Sequence, residues 1–156
     1  MMPILDRWNR ITMLLGSRWP ASLALLMVRL ALAGVFWRSG RTKVVEGTWL
    51  QLSDATRYLF ATEYTGVPLP PDLAAHLSLW GETFLPILVV MGLATRLSAL
   101  GLFTMTMAIQ TFVYPDAWWP VHSLWVALAL VLISRGGGTL SLDAAIARNY
   151  GRGVPG

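Results

Sequence analysis

The chain has no cysteine among its 156 residues. That absence removes disulfides, thiol redox chemistry, cysteine-ligated iron–sulfur and zinc sites, and covalent c-type haem attachment. Any electron-transfer role would have to use a cofactor held by other ligands, or a quinone. Charge is scarce too: Asp, Glu, Lys and Arg make up 13% of the residues against 55% hydrophobic, and mean hydropathy is +0.56. A water-soluble domain of this length needs far more polar surface. The net charge of +4 comes without a basic stripe interleaved with aromatics, so nucleic acid is not an expected partner. The arginines sit beside apolar runs instead, which makes the lipid bilayer the expected one. The opening MMPILDRWNRITMLLGSRWP offers a poor cleavage region at residues 17–20 and reads as an amphipathic lead-in to a span rather than as a signal peptide.

Four apolar segments reach the length that crosses a bilayer, about 20 residues. They cover about 21–39, 73–94, 97–114 and 118–134. The expected fold is therefore all-α: an integral membrane four-helix bundle forming a single domain over 1–156. The turn carrying Thr95 and Arg96 is so short that the second and third segments must be antiparallel neighbours. Arg7, Arg10, Arg18, Arg96, Arg135, Arg148 and Arg152 fall on one side. The other holds Arg38, Arg41, Lys43 and Arg57, so the positive-inside rule puts both termini in the cytoplasm. In the long outer loop, 48–62 sets Trp49, Leu52, Ala55, Tyr58 and Leu59 near one helical face, which predicts a short amphipathic helix. Ser141 can N-cap a last helix with Asp143 in its first turn, and Gly136 to Gly138 read as a helix stop rather than a phosphate loop.

One residue breaks the first span. From 21 to 37 every residue except Ser22 and Arg29 is apolar or glycine. An intramembrane guanidinium is costly and stays charged, so it needs a partner, water or a ligand. Glu82 lies about mid-way along the second span, at what counts from the opposite side as a comparable depth, so an Arg29–Glu82 pair is the expected compensation. Pro86 leaves the Glu82 carbonyl without its helical donor. Nearer the outer face, Gln110 and Tyr114 share a face of the third helix, His122 opens the fourth, and Trp37, Arg38 and Lys43 leave the first. These residues outline an outward-facing polar pocket floored by Arg29 and Glu82. A buried pair that only holds helix register is the competing reading, and His76 reads as a mouth residue.

No nucleophile–base–orienter arrangement follows from the spacing, so no catalytic residue is assigned. His76, His122 and Glu82 suit zinc, copper or iron in ligand type, and two histidines suit haem, but no short spacing such as HxxxH joins them, and no metal site is assigned.

The chain resembles the DoxX family of small bacterial membrane proteins over about residues 22–146. The resemblance rests on Val28-Arg29-Leu30-Ala31-Leu32, Phe36-Trp37-Arg38-Ser39-Gly40 with Lys43, and Glu63-Tyr64 before Val67-Pro68. It continues through Glu82 with Pro86, Gly92 to Arg96, Ile109 to Pro115, and Leu140-Ser141-Leu142-Asp143. It implies a four-helix membrane fold in the bacterial inner membrane and an association with membrane oxidoreductases. The family name refers to a subunit of an archaeal thiosulfate:quinone oxidoreductase, and the EY…VPLPP and QxFVYP segments resemble proteins encoded beside metal-handling peptide systems. The leading expectation is thus a redox-associated subunit binding a quinone or small polar ligand through Arg29, Glu82, Gln110, Tyr114, His122, Trp37, Arg38 and Lys43. The alternatives are a non-enzymatic accessory to metal homeostasis or metal-binding peptide export, and a structural assembly subunit.

Overall fold

The computed structural model describes residues 2–150; Arg152, counted above among the cytoplasmic arginines, lies outside them. Among the described residues the chain is helical, with one isolated β-bridge between Val44 and Leu52. Helix α1 (Met2–Leu15) is followed by α2 (Arg18–Thr42), α3 (Asp54–Thr62), α4 (Pro71–Met91), α5 (Thr95–Phe112), α6 (Ser123–Arg135) and α7 (Leu142–Tyr150). A 3-10 turn at Pro115–Ala117 and a π turn at Trp118–His122 lead without a break into α6.

Local chemistry explains the boundaries. Pro71 occupies the first turn of α4, where its missing N–H costs nothing. Gly92 ends that helix with φ +67, in the left-handed conformation that glycine adopts freely. Gly136 ends α6 as expected. Ser141 Oγ accepts from Ala144 N at 3.2 Å, the anticipated cap of α7.

Helix α2 packs on α4 and α6, and α5 packs on the same two. Leu32, Phe36, Val89, Leu102 and Leu132 fill the space between them. Three stretches are long and apolar enough to cross a membrane: Arg18–Thr42, Pro71–Met91 and Pro115–Arg135. The third expected span, α5, is less apolar than these. Its 18 residues include Thr95, Arg96, Ser98, Thr104, Thr106 and Gln110.

The loop helix is shorter than expected and turned differently. Ser53 caps α3 by accepting from Thr56 N, so Trp49 and Leu52 precede it. Val45 N to Gln51 O and Ser53 N to Lys43 O close the preceding segment into a small hairpin. Thr56 and Phe60 are the buried face of α3, packed with Leu52, Ala75 and Leu79, whereas Tyr58 is exposed. Tertiary contact, not the longest apolar stripe, chooses the inward side.

The largest correction concerns helix register. A Cβ on Gly40 would lie 3.0 Å from the Glu82 carbonyl oxygen and 3.1 Å from Glu82 Cβ. Glycine there lets the two backbones touch, which sets Gly40 level with Glu82 and leaves the carbonyl freed by Pro86 facing α2. Arg29 lies eleven residues before Gly40, about 16 Å along the helix axis at 1.5 Å per residue. The Arg29–Glu82 pair therefore does not form. Depth estimated from the ends of apolar runs misses because α2 and α4 are not level: Arg29, mid-way along α2, reaches Val90 in the last turn of α4 rather than its middle.

Candidate functional site

Glu82 is 1% exposed and is paired by Lys43, not Arg29. Lys43 Nζ lies 2.7 Å from Glu82 Oε2 and 3.0 Å from Ser39 Oγ. Ser78 Oγ donates to Glu82 Oε1 at 3.2 Å. Lys43 reaches inward because it terminates α2 and its carbonyl accepts from Ser53 N and Thr56 Oγ1, which pins the hairpin and α3 over this end of the bundle.

A cavity of about 180 Å³ lies against this pair. Val35, Phe36 and Ser39 of α2, Glu82 of α4, Ile109 of α5, and His122 with Trp125 line it, together with Tyr64 and Tyr114. His122 Nδ1 is 2.7 Å from Gln110 Oε1, while Gln110 Nε2 donates to the Pro115 carbonyl at 2.6 Å. With the amide nitrogen committed, Oε1 is the acceptor and Nδ1 carries the proton. A neutral His122 then keeps Nε2 as a hydrogen-bond acceptor or base. Trp125 packs on both Phe36 and His122, with ring centroids 5.7 and 5.2 Å away.

Tyr64 stacks on Phe60 at 4.4 Å and meets Tyr114 edge-on at 6.1 Å. Burial pushes its phenol well above the ordinary tyrosine range, and the Tyr114 hydroxyl, Glu82 and Glu63 push the same way. Tyr64 is thus a neutral O–H donor at any physiological pH. Tyr114 Oη donates to Glu63 Oε2 at 3.3 Å.

Of the residues expected to line one pocket, the cavity holds Glu82, Tyr114 and His122, with Lys43 and Gln110 directly behind. Three stand elsewhere. Trp37 lines an apolar recess with Leu30, Gly34 and Pro86, where Arg41 lies 4.7 Å over its ring. Arg38 is exposed. Arg29 is at the other end of the bundle. Tyr64, Ser39 and Ser78 went unassigned from sequence, although Tyr64 and Ser39 both stand in the segments that carry the family resemblance.

Arg29, itself 1% exposed, donates from Nη1 to Val90 O at 3.1 Å and from Nη2 to Leu140 O. A Cβ on Gly92 would overlap Nη1, so glycine gives the guanidinium its place. Asp143 accepts from Ala94 N at 2.7 Å, Thr95 N at 2.9 Å and Thr95 Oγ1 at 2.7 Å. Burial raises the Asp143 carboxyl, but those hydrogen bonds and the Arg29 charge outweigh it and hold it below its ordinary value. This network ties α2, the α4–α5 turn and α7 together; apart from Arg29 Nε, which is buried without a hydrogen-bond partner, its polar groups are spent on the protein itself. His76, expected at a mouth, is partly buried beside Asp72 and Trp80. Among the described residues no group of three His, Asp or Glu side chains is placed to hold a metal ion.

The DoxX family model matches residues 24–115. The chain belongs to the DoxX family. The matched stretch carries Arg29, Lys43, Glu82, Gln110 and Tyr114, so both polar networks of this DoxX chain are rooted in it, while His122 and Asp143 lie beyond. An uncharacterized protein of Haemophilus influenzae is 28% identical over 146 residues, spanning 83% of this chain and 87% of that one. No solved structure matches. Family membership and the apolar helices make this a membrane protein.

Proposed function

We propose that this DoxX protein crosses the bacterial inner membrane as a four-span bundle of α2, α4, α5 and the stretch ending in α6, with both termini cytoplasmic. At the periplasmic end it binds a small hydrogen-bonding ligand, the head of a quinone, as part of a redox-associated assembly. The observation that carries this reading is the partly open cavity where the buried, Lys43-paired Glu82, a histidine acceptor and a neutral tyrosine donor meet among apolar helices. Intramembrane charge is expensive and faces a partner or a pathway. Here Glu82 is both paired and in contact with the cavity. A quinone–quinol head fits the chemistry of the lining: the Tyr64 hydroxyl can donate to a quinone carbonyl, His122 Nε2 can accept from a hydroxyl of the reduced quinol, and Trp125 and Phe36 offer apolar faces.

Arg29 has a structural role in this reading, because its two bonded nitrogens are used on backbone carbonyls. The test is direct. Protein purified in lipid nanodiscs should yield a quinone on solvent extraction and bind a benzoquinone on titration. Glu82→Gln should weaken that titration by about tenfold, because it breaks the ion pair with Lys43 that orders the cavity wall. Protein that carries no quinone and binds none would end the proposal.

A further inference from the structure

A second, larger space adjoins the cavity. An apolar groove of about 310 Å³ runs beneath α3 between α4 and α5, with Leu77 and Met105 on facing walls. Tyr64 and Ile109 line both spaces. Ser78, on the groove wall, donates to Glu82 in the cavity floor. The polar and apolar compartments therefore share two lining side chains. Leu69 and Leu77 are 44% and 45% exposed along the groove margin, on the outer flank of the helices rather than toward the bundle axis.

Gly81 makes this geometry, since a Cβ there would sit 2.7 Å from Met105 Sδ. Glycine there lets Met105, on the α5 wall of the groove, pack directly against the α4 backbone. In a bilayer a gap on that flank faces acyl chains rather than water. Its polar contribution is Ser78, the Thr104 hydroxyl, already bonded to Leu100 O, and the Tyr64 hydroxyl at the cavity boundary.

We propose that the groove receives the linear apolar tail of the molecule whose head occupies the Glu82–His122 cavity, so that the ligand is a membrane-borne amphiphile entering sideways between α4 and α5. This rests on the cavity being a ligand site and adds where the tail lies and the route of entry. The tail gains little by leaving lipid for an apolar groove, because neither is water. Its signature is steric: filling the groove must penalise a tailed ligand and spare a tail-free one.

The experiment titrates two probes into nanodisc protein: a benzoquinone bearing a decyl chain, and the same ring bearing only methyl groups. Ala108→Trp fills the groove from α5, and Leu77→Trp fills it from α4 and serves if the first variant fails to fold. Comparing each probe with its own wild-type value removes differences in partitioning. The expected result is a loss of about tenfold or more for the decyl probe with the methyl probe within about twofold. If both probes bind the wild type and neither is weakened by the variants, the groove is not a tail site, while the cavity reading stands. Equal weakening of both probes overturns the tail assignment too, since the groove would then act on the head. If neither probe binds the wild type, the cavity reading fails and the tail site with it.

Discussion

Removing Glu82 tests whether the interior of this bundle is organised around Lys43. The two charges are 2.7 Å apart and both residues are buried, Glu82 at 1% and Lys43 at 8% exposure. At an effective dielectric near 20 their gross attraction is about 6 kcal/mol. Desolvation of both ions offsets much of it, so the pair as a whole contributes little net stability. Breaking it is another matter. Glu82→Leu leaves the ammonium with only Ser39 Oγ and the Ser39 carbonyl, and an uncompensated buried charge costs about 3–5 kcal/mol. Lys43→Met, which strands the carboxylate with Ser78 alone, should cost a similar amount. The double variant Lys43→Met with Glu82→Leu should return to within about 1–2 kcal/mol of wild type or exceed it. Reversible denaturation in mixed micelles of wild type, the two single variants and the double variant gives the double-mutant cycle, with a coupling of at least about 4 kcal/mol expected from those costs. Additive effects, or single variants costing less than about 1 kcal/mol, would refute the assignment of Lys43 as the partner. A stable double variant also separates stability from function, since loss of ligand binding in it implicates the charges themselves.

The same cycle run on Arg29→Met and Glu82→Leu should show coupling within about 0.5 kcal/mol, because the groups lie far apart and share no bonded partner. Gly40→Ala should destabilise by about 1–3 kcal/mol and weaken the Lys43–Glu82 coupling, because its Cβ would press on the Glu82 backbone and shift the α2–α4 register; the measurement is the same denaturation. Asp143→Ala should cost about 1–2 kcal/mol by uncapping α5, read from the melting of the purified protein. Since the folded Asp143 carboxyl is held below its ordinary value, its contribution is present above about pH 4 and is lost as pH falls through the folded value. A pH series should show the Asp143→Ala deficit shrinking only in that acidic range.

The features legible from sequence are local ones. Hydropathy marks α2, α4 and α6, Pro71, Gly92 and Gly136 mark their ends, and Ser141 caps α7 as its spacing suggests. Gln110 and His122, expected near the outer face, do meet there, because both are counted from nearby helix ends. The partner of Glu82 was not legible. Helix ends read from hydropathy carry errors of several residues, and in an antiparallel pair each residue of error in the relative register displaces facing groups by about 1.5 Å. Tyr64 was missed for a related reason: it lies in a connection without periodicity, and only the packing of Phe60 under α3 brings it over the cavity.

Sequence alone thus determined that this chain is helical, belongs in a membrane, and carries buried charge that must be compensated, because each of these follows from residue type and from repeat along one segment. Tertiary structure alone decided which charges meet. The close approach at Gly40 sets the level of Glu82, the hairpin after α2 returns Lys43 to it, and the space at Gly92 directs Arg29 to the carbonyls beside α7. Those outcomes depend on contacts between segments far apart in the chain, where a single missing Cβ counts for more than any pattern along a helix.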